Sequence, residues 1–391
     1  MPLNQRMPQK RDIYTLDMTQ LLPTTPTKPK SKRILELDAI RALSCLNLLL
    51  FHFTWVYEEK YGFSSPIGYK FPYGKYGVQL FFMLSGLVNA MTLLSKRDSA
   101  NFISARWIRI FPSYWIVILM NVALFAYIPM FNTPPTVDWT VANLTTMPNL
   151  LGYENMEPVT WTLQVEMLFY IFLMLLLILG LLDKPVRTMM VAVSICLILG
   201  TTFTQFKVWY PQSDWNSTFY VIEELLFIRT LPLFAMGILL NELRSKRGTP
   251  WVLWGGIVLS GIVYHAIDLR EHNPLATILM FGLLTASAYG RVPMLRFQPL
   301  VYISFISYSL YLVHNNLGTL IMRQLELAGC YPVLAFLLTI GAVIGIAAAF
   351  THWLEQPLTK ILRKKWISLR KRFENRSNSQ TAAPAKQSTS S

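Results

Sequence analysis

The stretch LDAIRALSCLNLLLFHFTW, residues 37 to 55, decides the fold class of this chain. It is long and apolar enough to cross a bilayer as one helix, which takes about 20 residues. Two ionisable side chains interrupt it, Arg41 near one end and His52 near the other. Their spacing is close to three helical turns, so both lie on nearly the same face, about 16 Å apart along the axis. Since ionisable groups at membrane depth are costly, this stretch predicts a membrane helix with a functional face.

The composition of the whole chain also indicates a membrane protein. Of its 391 residues, 53% are hydrophobic and only 14% are charged, which is too apolar for a soluble domain of this length. The formal net charge is +14, but Lys and Arg stand in short runs between apolar stretches, where they set membrane orientation. This placement argues against nucleic acid as a partner. The three cysteines show neither metal-binding nor disulfide spacing.

Ten apolar runs follow one another along the chain, and each is long enough, or nearly so, to span a bilayer. They cover residues 38–57, 76–95, 111–130, 161–182, 187–204, 223–241, 251–267, 275–290, 301–322 and 332–353. The connections between them alternate between basic and cation-poor. By the positive-inside rule, we expect an all-α integral membrane protein, a bundle of about ten transmembrane helices with both termini in the cytoplasm.

The two ends of the chain differ from its apolar middle, residues 34–358, which we interpret as the polytopic membrane domain. Residues 1–33 are rich in Thr, Pro, Lys and Gln and predict a disordered basic cytoplasmic arm. Residues 359–391 are basic and then rich in Ser, Thr and Ala, which predicts a low-complexity cytoplasmic tail. Its cations either orient the last span or touch anionic membrane lipids.

Four ionisable side chains come out at one depth when residues are counted from the predicted span ends. At about 1.5 Å per residue, His52, Glu166, Arg229 and His314 all fall in the outer half of the membrane. A buried Glu can orient a histidine, and a neighbouring Arg can keep that Glu ionised. The pattern therefore predicts a catalytic site with Glu166 beside His52, although a structural ion-pair network would gather the same groups.

A second cluster stands at the cytoplasmic edge in SARWIRIFPSYW, residues 104–115. Arg106 and Arg109 share one helical face there, and two guanidinium forks suit a phosphate-bearing ligand, with Arg41 as a third. An orientation signal alone would use the same residues. Phosphates held at this edge, with a base about 16 Å above, fit the shape of coenzyme A. We find no ligand set of metal-binding spacing and expect no metal.

Several ordered motifs resemble the membrane acyltransferase-3 family. The matching stretches are RILELDAIRALSCLNLLLFH at 33–52, GVQLFFMLSGL at 77–87, RWIRIFPSYW at 106–115, WTLQVEMLFY at 161–170, SYSLYLVH at 307–314 and EQP at 355–357. The resemblance implies an O-acyltransferase that moves an acyl group from cytoplasmic acyl-CoA to a carbohydrate hydroxyl, and acetyl is the favoured acyl group. The acceptor would be a surface polysaccharide, a lipopolysaccharide or a related glycan, at the outer side of a bacterial cytoplasmic (inner) membrane.

The resemblance also implies roles for individual residues. His52 is the expected general base, with Glu166 as its catalytic partner, and Arg41, Arg106 and Arg109 serve the acyl donor. The acceptor side is less defined, and its candidates are Arg229, His314 and Ser85. At Ser85-Gly86 a close helix-packing site is the favoured interpretation, and a covalent acyl-Ser85 or acyl-His52 intermediate is the alternative. The esterase-like domain fused to some family members does not occur in this sequence. We therefore expect the chain to finish the transfer itself or to use a separate extracytoplasmic partner enzyme.

A transporter or flippase for a sugar-linked or lipid-linked substrate is the alternative. The polar level would then be a substrate site at the membrane midplane, and such proteins commonly show repeat symmetry or discontinuous helices in matching halves. We find no internal repeat in the sequence, which favours the enzyme.

Overall fold

The computed structural model describes residues 34–131, 133–267 and 273–381, and the regular structure of this part is helical, without a strand. The predicted arm, residues 1–33, lies outside the described residues. The α-helices of the described part are α1 (Leu35–Leu50), α2 (Tyr57–Tyr61), α3 (Tyr76–Lys96), α4 (Ser99–Tyr127), α5 (Val137–Leu144), α6 (Trp161–Ile178), α7 (Pro185–Trp209), α8 (Trp215–Leu225), α9 (Leu231–Arg244), α10 (Pro250–Ile267), α11 (Pro274–Ala288), α12 (Gln298–Val313), α13 (Asn316–Leu327), α14 (Pro332–Phe350) and α15 (Gln356–Thr381).

The prediction of an all-α membrane protein is confirmed. Among the described residues, 7 helical segments are long and apolar enough to cross a membrane. They are Leu35–Tyr61, Pro72–Ser95, Ser99–Tyr127, Pro158–Ile178, Pro185–Trp209, Pro250–Ile267 and Pro332–Phe373. The other three predicted runs overlap α9, α11 and α12, which have only 14, 15 and 16 residues. The number of ten spans and the side of the termini therefore stay predictions.

The ninth predicted run, residues 301–322, is not one helix. Helix α12 ends at Val313 and α13 begins at Asn316, so His314 stands at the break. The side-chain amide of Asn316 donates to the Asn121 amide oxygen at 2.7 Å and to the Met156 carbonyl at 2.9 Å. These hydrogen bonds tie the start of α13 to α4 and to the segment before α6, and they hold the break in place.

The predicted low-complexity tail is helical as far as Thr381. A π-helical turn at Thr351–Glu355 joins α14 to α15, so the last span continues into the basic segment. Helix α15 is attached to the start of α4, where Arg370 pairs with Asp98 at 2.7 Å and the Trp366 indole donates to the Asn101 side chain at 3.1 Å. This segment is helical because Lys, Arg and Leu are good helix formers. It also continues an existing helix, so the unfavourable nucleation of a new helix is avoided.

Helices α3 and α9 approach each other so closely that only glycine fits at the crossing. A Cβ atom on Gly86 would lie 2.2 Å from the Phe234 carbonyl oxygen, and one on Gly237 would lie 2.0 Å from the Met83 carbonyl oxygen. Small residues permit this backbone contact between membrane helices. The crossing fixes α3, which carries Ser85 beside Gly86, against the helices that surround the site.

The first helix changes its winding at His52. After Leu50 the chain continues through a π-helical turn, Phe51–Val56, into α2, and His52 lies within that turn. The Thr54 hydroxyl donates to the Leu50 carbonyl at 2.6 Å and accepts from the Phe71 amide at 2.9 Å. Single π turns inside helices are rare and often mark functional positions.

Candidate active site

Three arginines line a cavity of about 100 Å³ between α1, α3, α4, α6 and α12, which we call the inner cavity. Arg41 comes from α1, and Arg106 and Arg109 come from successive turns of α4. The Arg41 side chain is 22% exposed, and its Nη1 atom lies 3.5 Å from an Asp38 carboxylate oxygen. The structure thus gathers the three predicted donor-binding residues around one space, and few opposite charges neutralise them.

Glu166 belongs to this inner cavity. Its carboxylate accepts a hydrogen bond from the Tyr170 hydroxyl, one turn along α6, and another from the Ser85 hydroxyl at 3.2 Å. The Arg106 guanidinium stands over the Tyr170 ring, 5.4 Å from its centre. The Asn89 amide donates to the Ser85 hydroxyl at 3.0 Å. Glu166 is therefore a negative charge at the arginine cluster, held by neutral donors from two helices.

A larger cavity of about 440 Å³, the outer cavity, contains His52. Its lining includes Lys75, Trp161, Thr230 and Tyr264, so it combines aromatic faces with polar groups. Aromatic faces and nearby hydrogen-bonding groups are suited to a sugar ring, which has apolar C–H faces and a rim of hydroxyls. This cavity has room for a bulky acceptor beside a potential base.

His52 is paired with His314. The two imidazole rings lie edge to face, with 5.2 Å between their centres. His314 is fully buried, and its Nδ1 atom is 2.7 Å from the Tyr311 carbonyl oxygen. Because a carbonyl only accepts, we assign the proton of His314 to Nδ1, which leaves a lone pair on Nε2. That Nε2 atom and Nδ1 of His52 are both buried without a hydrogen bond.

The inner and outer cavities adjoin each other. Four residues line both of them: Leu48, Val78, Thr162 and Tyr311. Along α1 the lining passes from the inner cavity through Leu48 to His52, and along α6 it passes through Thr162 in the opposite chain direction. The two cavities therefore follow one another along the helix axes, with the arginines at one end and His52 at the other, while His314 packs behind His52 and lines neither cavity.

Two predicted residues lie elsewhere than expected. No hydrogen bond joins Glu166 to His52 in the described part of the chain, because Glu166 lies one helical turn beyond the shared Thr162, on the arginine side. Arg229 lines neither cavity. Its guanidinium pairs at 2.6 Å with Glu223, and that carboxylate also binds the Lys207 ammonium at 2.9 Å. The coplanar set predicted from depth is thus reduced to the two histidines.

Sequence reasoning overlooked Glu157, which precedes the α6 span. Its side chain is fully buried, and neither carboxyl oxygen has a hydrogen bond. Burial raises the pKa of Glu157 from its usual 4.5 to about 8, although the nearby amides of Asn315 and Asn121 oppose this effect. The carboxyl group is therefore largely protonated at neutral pH. Nothing in the sequence distinguishes it from the other acids of residues 131–160.

The described residues offer no site for a metal ion. They contain no group of three or more His, Cys, Asp or Glu side chains placed to hold one.

A family model and a curated protein match this chain. The family model is described as an acyltransferase domain and matches residues 34–352. The curated protein is the exopolysaccharide production protein ExoZ of Rhizobium meliloti (strain 1021), which is 28% identical over 331 residues. That alignment covers 78% of this chain and 96% of the relative. No solved structure matches.

Proposed function

The chain belongs to the acyltransferase-3 family and is a membrane acyltransferase, and from this premise we propose that it O-acylates a carbohydrate. The favoured acyl group is acetyl. It comes from a cytoplasmic acyl-CoA and goes to a hydroxyl of a polysaccharide or related glycan at the outer side of the membrane. The name of the ExoZ relative, an exopolysaccharide production protein, supports a polysaccharide acceptor. A bacterial cytoplasmic membrane is the corresponding location.

One observation carries this proposal: the inner cavity, which holds the arginines, and the outer cavity, which holds His52, share part of their lining. Guanidinium groups bind phosphates through charge-assisted hydrogen bonds, so Arg41, Arg106 and Arg109 would hold the phosphates of the donor. The pantetheine arm would then extend toward Thr162 and Tyr311. A thioester that reaches this junction from the inner side meets an acceptor hydroxyl that enters from the outer cavity.

His52 is the proposed base. A hydroxyl is a weak nucleophile at neutral pH, and a positioned base typically contributes about 10²–10⁴-fold to the rate. The hydroxyl proton passes to the His52 ring as the oxygen bonds to the thioester carbon. The carbon–sulfur bond then breaks, and the departing thiolate takes that proton. The products are an ester and free coenzyme A, and the histidine returns to its neutral form.

His314 takes the supporting role that the sequence suggested for Glu166. Its free Nε2 lone pair lies in the ring that packs against His52, and its own tautomer is fixed by the Tyr311 carbonyl. Packing of this kind would orient the His52 imidazole, the role that the third member of a catalytic triad plays. Glu166 and Ser85 would instead keep the arginines of the donor site in order. Direct transfer needs no acyl-enzyme at Ser85.

Mass spectrometry of cell-surface glycans tests this proposal. A deletion strain is complemented with wild type, His52→Ala or Arg109→Ala, and each protein must reach the membrane in equal amount. We expect one ester mass to disappear in both variants and to return with wild type. Matched controls are His352→Ala and Arg363→Ala, whose side chains lie outside both cavities and are exposed. These should esterify normally.

Two results would contradict the proposal. Full esterification with His52→Ala would remove the base from the mechanism. Loss of the glycan itself, rather than of its ester, would favour the transporter alternative, because a flippase mutant fails to export the whole substrate. The mass of the missing group would also identify the acyl chain.

A further inference from the structure

Four residues form the junction of the two cavities, and hydrogen bonds hold two of them in place. The Tyr311 hydroxyl lies 2.5 Å from the Thr162 hydroxyl and donates to the Val159 carbonyl oxygen. Its ring therefore cannot swing aside without breaking two hydrogen bonds. Thr162 is only 6% exposed and is held in α6. This side of the junction keeps its width, whatever molecule lies against it.

The remaining side of the junction is apolar. Leu48 of α1 is 8% exposed, and Val78 of α3 is partly buried. Both are branched side chains that end in methyl groups, and neither offers a polar atom. An alkyl chain would lie against these methyl groups without any loss of hydrogen bonds.

We propose that Leu48 and Val78, the apolar residues that line both cavities together with the hydrogen-bonded Thr162–Tyr311 pair, hold the acyl group of the donor and restrict it to short chains. The inference rests on the proposed function, because it places the thioester carbon at the junction. Three directions leave that carbon. The sulfur points into the inner cavity, the attacking hydroxyl arrives from the outer cavity, and the acyl tail must lie against the remaining wall of the junction. A longer tail has to displace Leu48 or Val78, or enter the space of the acceptor.

Shortening this wall should change acyl selectivity. A pocket that gains or loses one methylene of space changes the relative kcat/KM of substrates differing by one methylene about 10–200-fold. We therefore expect Leu48→Ala and Val78→Ala to raise the ratio of butyryl-CoA to acetyl-CoA turnover about tenfold or more. Wild type should strongly prefer the acetyl donor.

The experiment measures free thiol release by purified protein in proteoliposomes. The donors are acetyl-CoA, butyryl-CoA and hexanoyl-CoA, and the acceptor is surface polysaccharide of the deletion strain after alkaline removal of its esters. The matched control is Leu49→Ala, the same change one residue along α1. Leu49 is 1% exposed and lines neither cavity, so it should lose stability without a change in the donor ratio. Leu48→Val provides a milder version should Leu48→Ala fail to fold.

The outcomes separate this inference from the function on which it depends. A wild type that releases no thiol from any donor would overturn the proposed function. An active wild type with the same donor ratio in the Leu48 and Val78 variants would overturn only the inference. An equal rise in Leu49→Ala would also overturn it, since the selectivity would then reflect general loosening of the bundle.

Discussion

Glu166 has other neighbours than the depth count along its helix predicts. The structure places it with Arg106, Tyr170 and Ser85, and His52 lies in the adjoining cavity. We expect Glu166→Gln to lower the free energy of unfolding by about 2 kcal/mol, because it removes a hydrogen-bonded charge that balances three arginines. The pH dependence of kcat should keep its midpoint, because the residue does not touch the base. Thermal unfolding in detergent and a pH–rate series measure the two effects.

A suitable control for this variant is Glu36→Gln. Glu36 is buried, whereas Glu166 is partly buried, and Glu36 is paired with Arg296 at 2.7 Å, away from both cavities. It should lose stability in the same way and leave the pH dependence of kcat unchanged. A shift of the pH–rate midpoint in Glu166→Gln alone would show that Glu166 acts through His52, as the depth count suggested.

The sequence predicted the residue types of the site better than their pairing. It singled out Arg106 and Arg109 because they share one face of a helix, and Arg41 because it shares a face with His52. Helical periodicity determines such faces reliably. Depth is different, because it depends on where each span begins. Thr162 lines both cavities, and Glu166, about one helical turn or 5.4 Å further along α6, lines only the inner one. Span ends inferred from hydropathy are uncertain by about that much.

At the scale of helices, the crossing of α3 and α9 depends on two glycines. We expect Gly86→Ala to prevent normal packing, with a loss of about 3 kcal/mol or more, because the new methyl group would meet a backbone carbonyl that cannot rotate away. The yield of monodisperse protein and its unfolding temperature measure this effect. Gly255→Ala is the matched control, since a Cβ there meets nothing within 4 Å. Equal behaviour of the two variants would contradict the close crossing.

Other features of the helices could not be found from hydropathy. The break between α12 and α13 leaves apolar residues on both sides, so the run over 301–322 reads as one span. Its only local signal is the pair Asn315-Asn316, and of the two it is the Asn316 amide that donates to other segments. The amino-acid composition of the π-helical turn at Phe51–Val56 does not distinguish it from the α-helix before it. Both features depend on tertiary contacts, and both bear directly on the histidine pair.

For the whole molecule, the number of spans decides which sides of the membrane the termini face. The 7 long segments alone are an odd number and would place the two termini on opposite sides. Helices α9, α11 and α12 are shorter, at 14, 15 and 16 residues, yet each overlaps a predicted run and the basic connections alternate correctly only when all three cross. An even number of crossings returns both termini to the cytoplasm. Short helices of this kind can span where the bilayer thins locally.

This topology also predicts the side of the membrane from which the acyl donor binds. The arginines lie toward the end of the bundle with basic connections, so the donor should bind only from the cytoplasm. Inside-out membrane vesicles should release thiol from added acetyl-CoA, and right-side-out vesicles should not, because acyl-CoA does not cross the bilayer. Detergent is the control, since permeabilised vesicles of either orientation should then react equally. Equal rates in intact vesicles of both orientations would contradict a donor site that opens to one side, and preference for right-side-out vesicles would reverse the predicted topology.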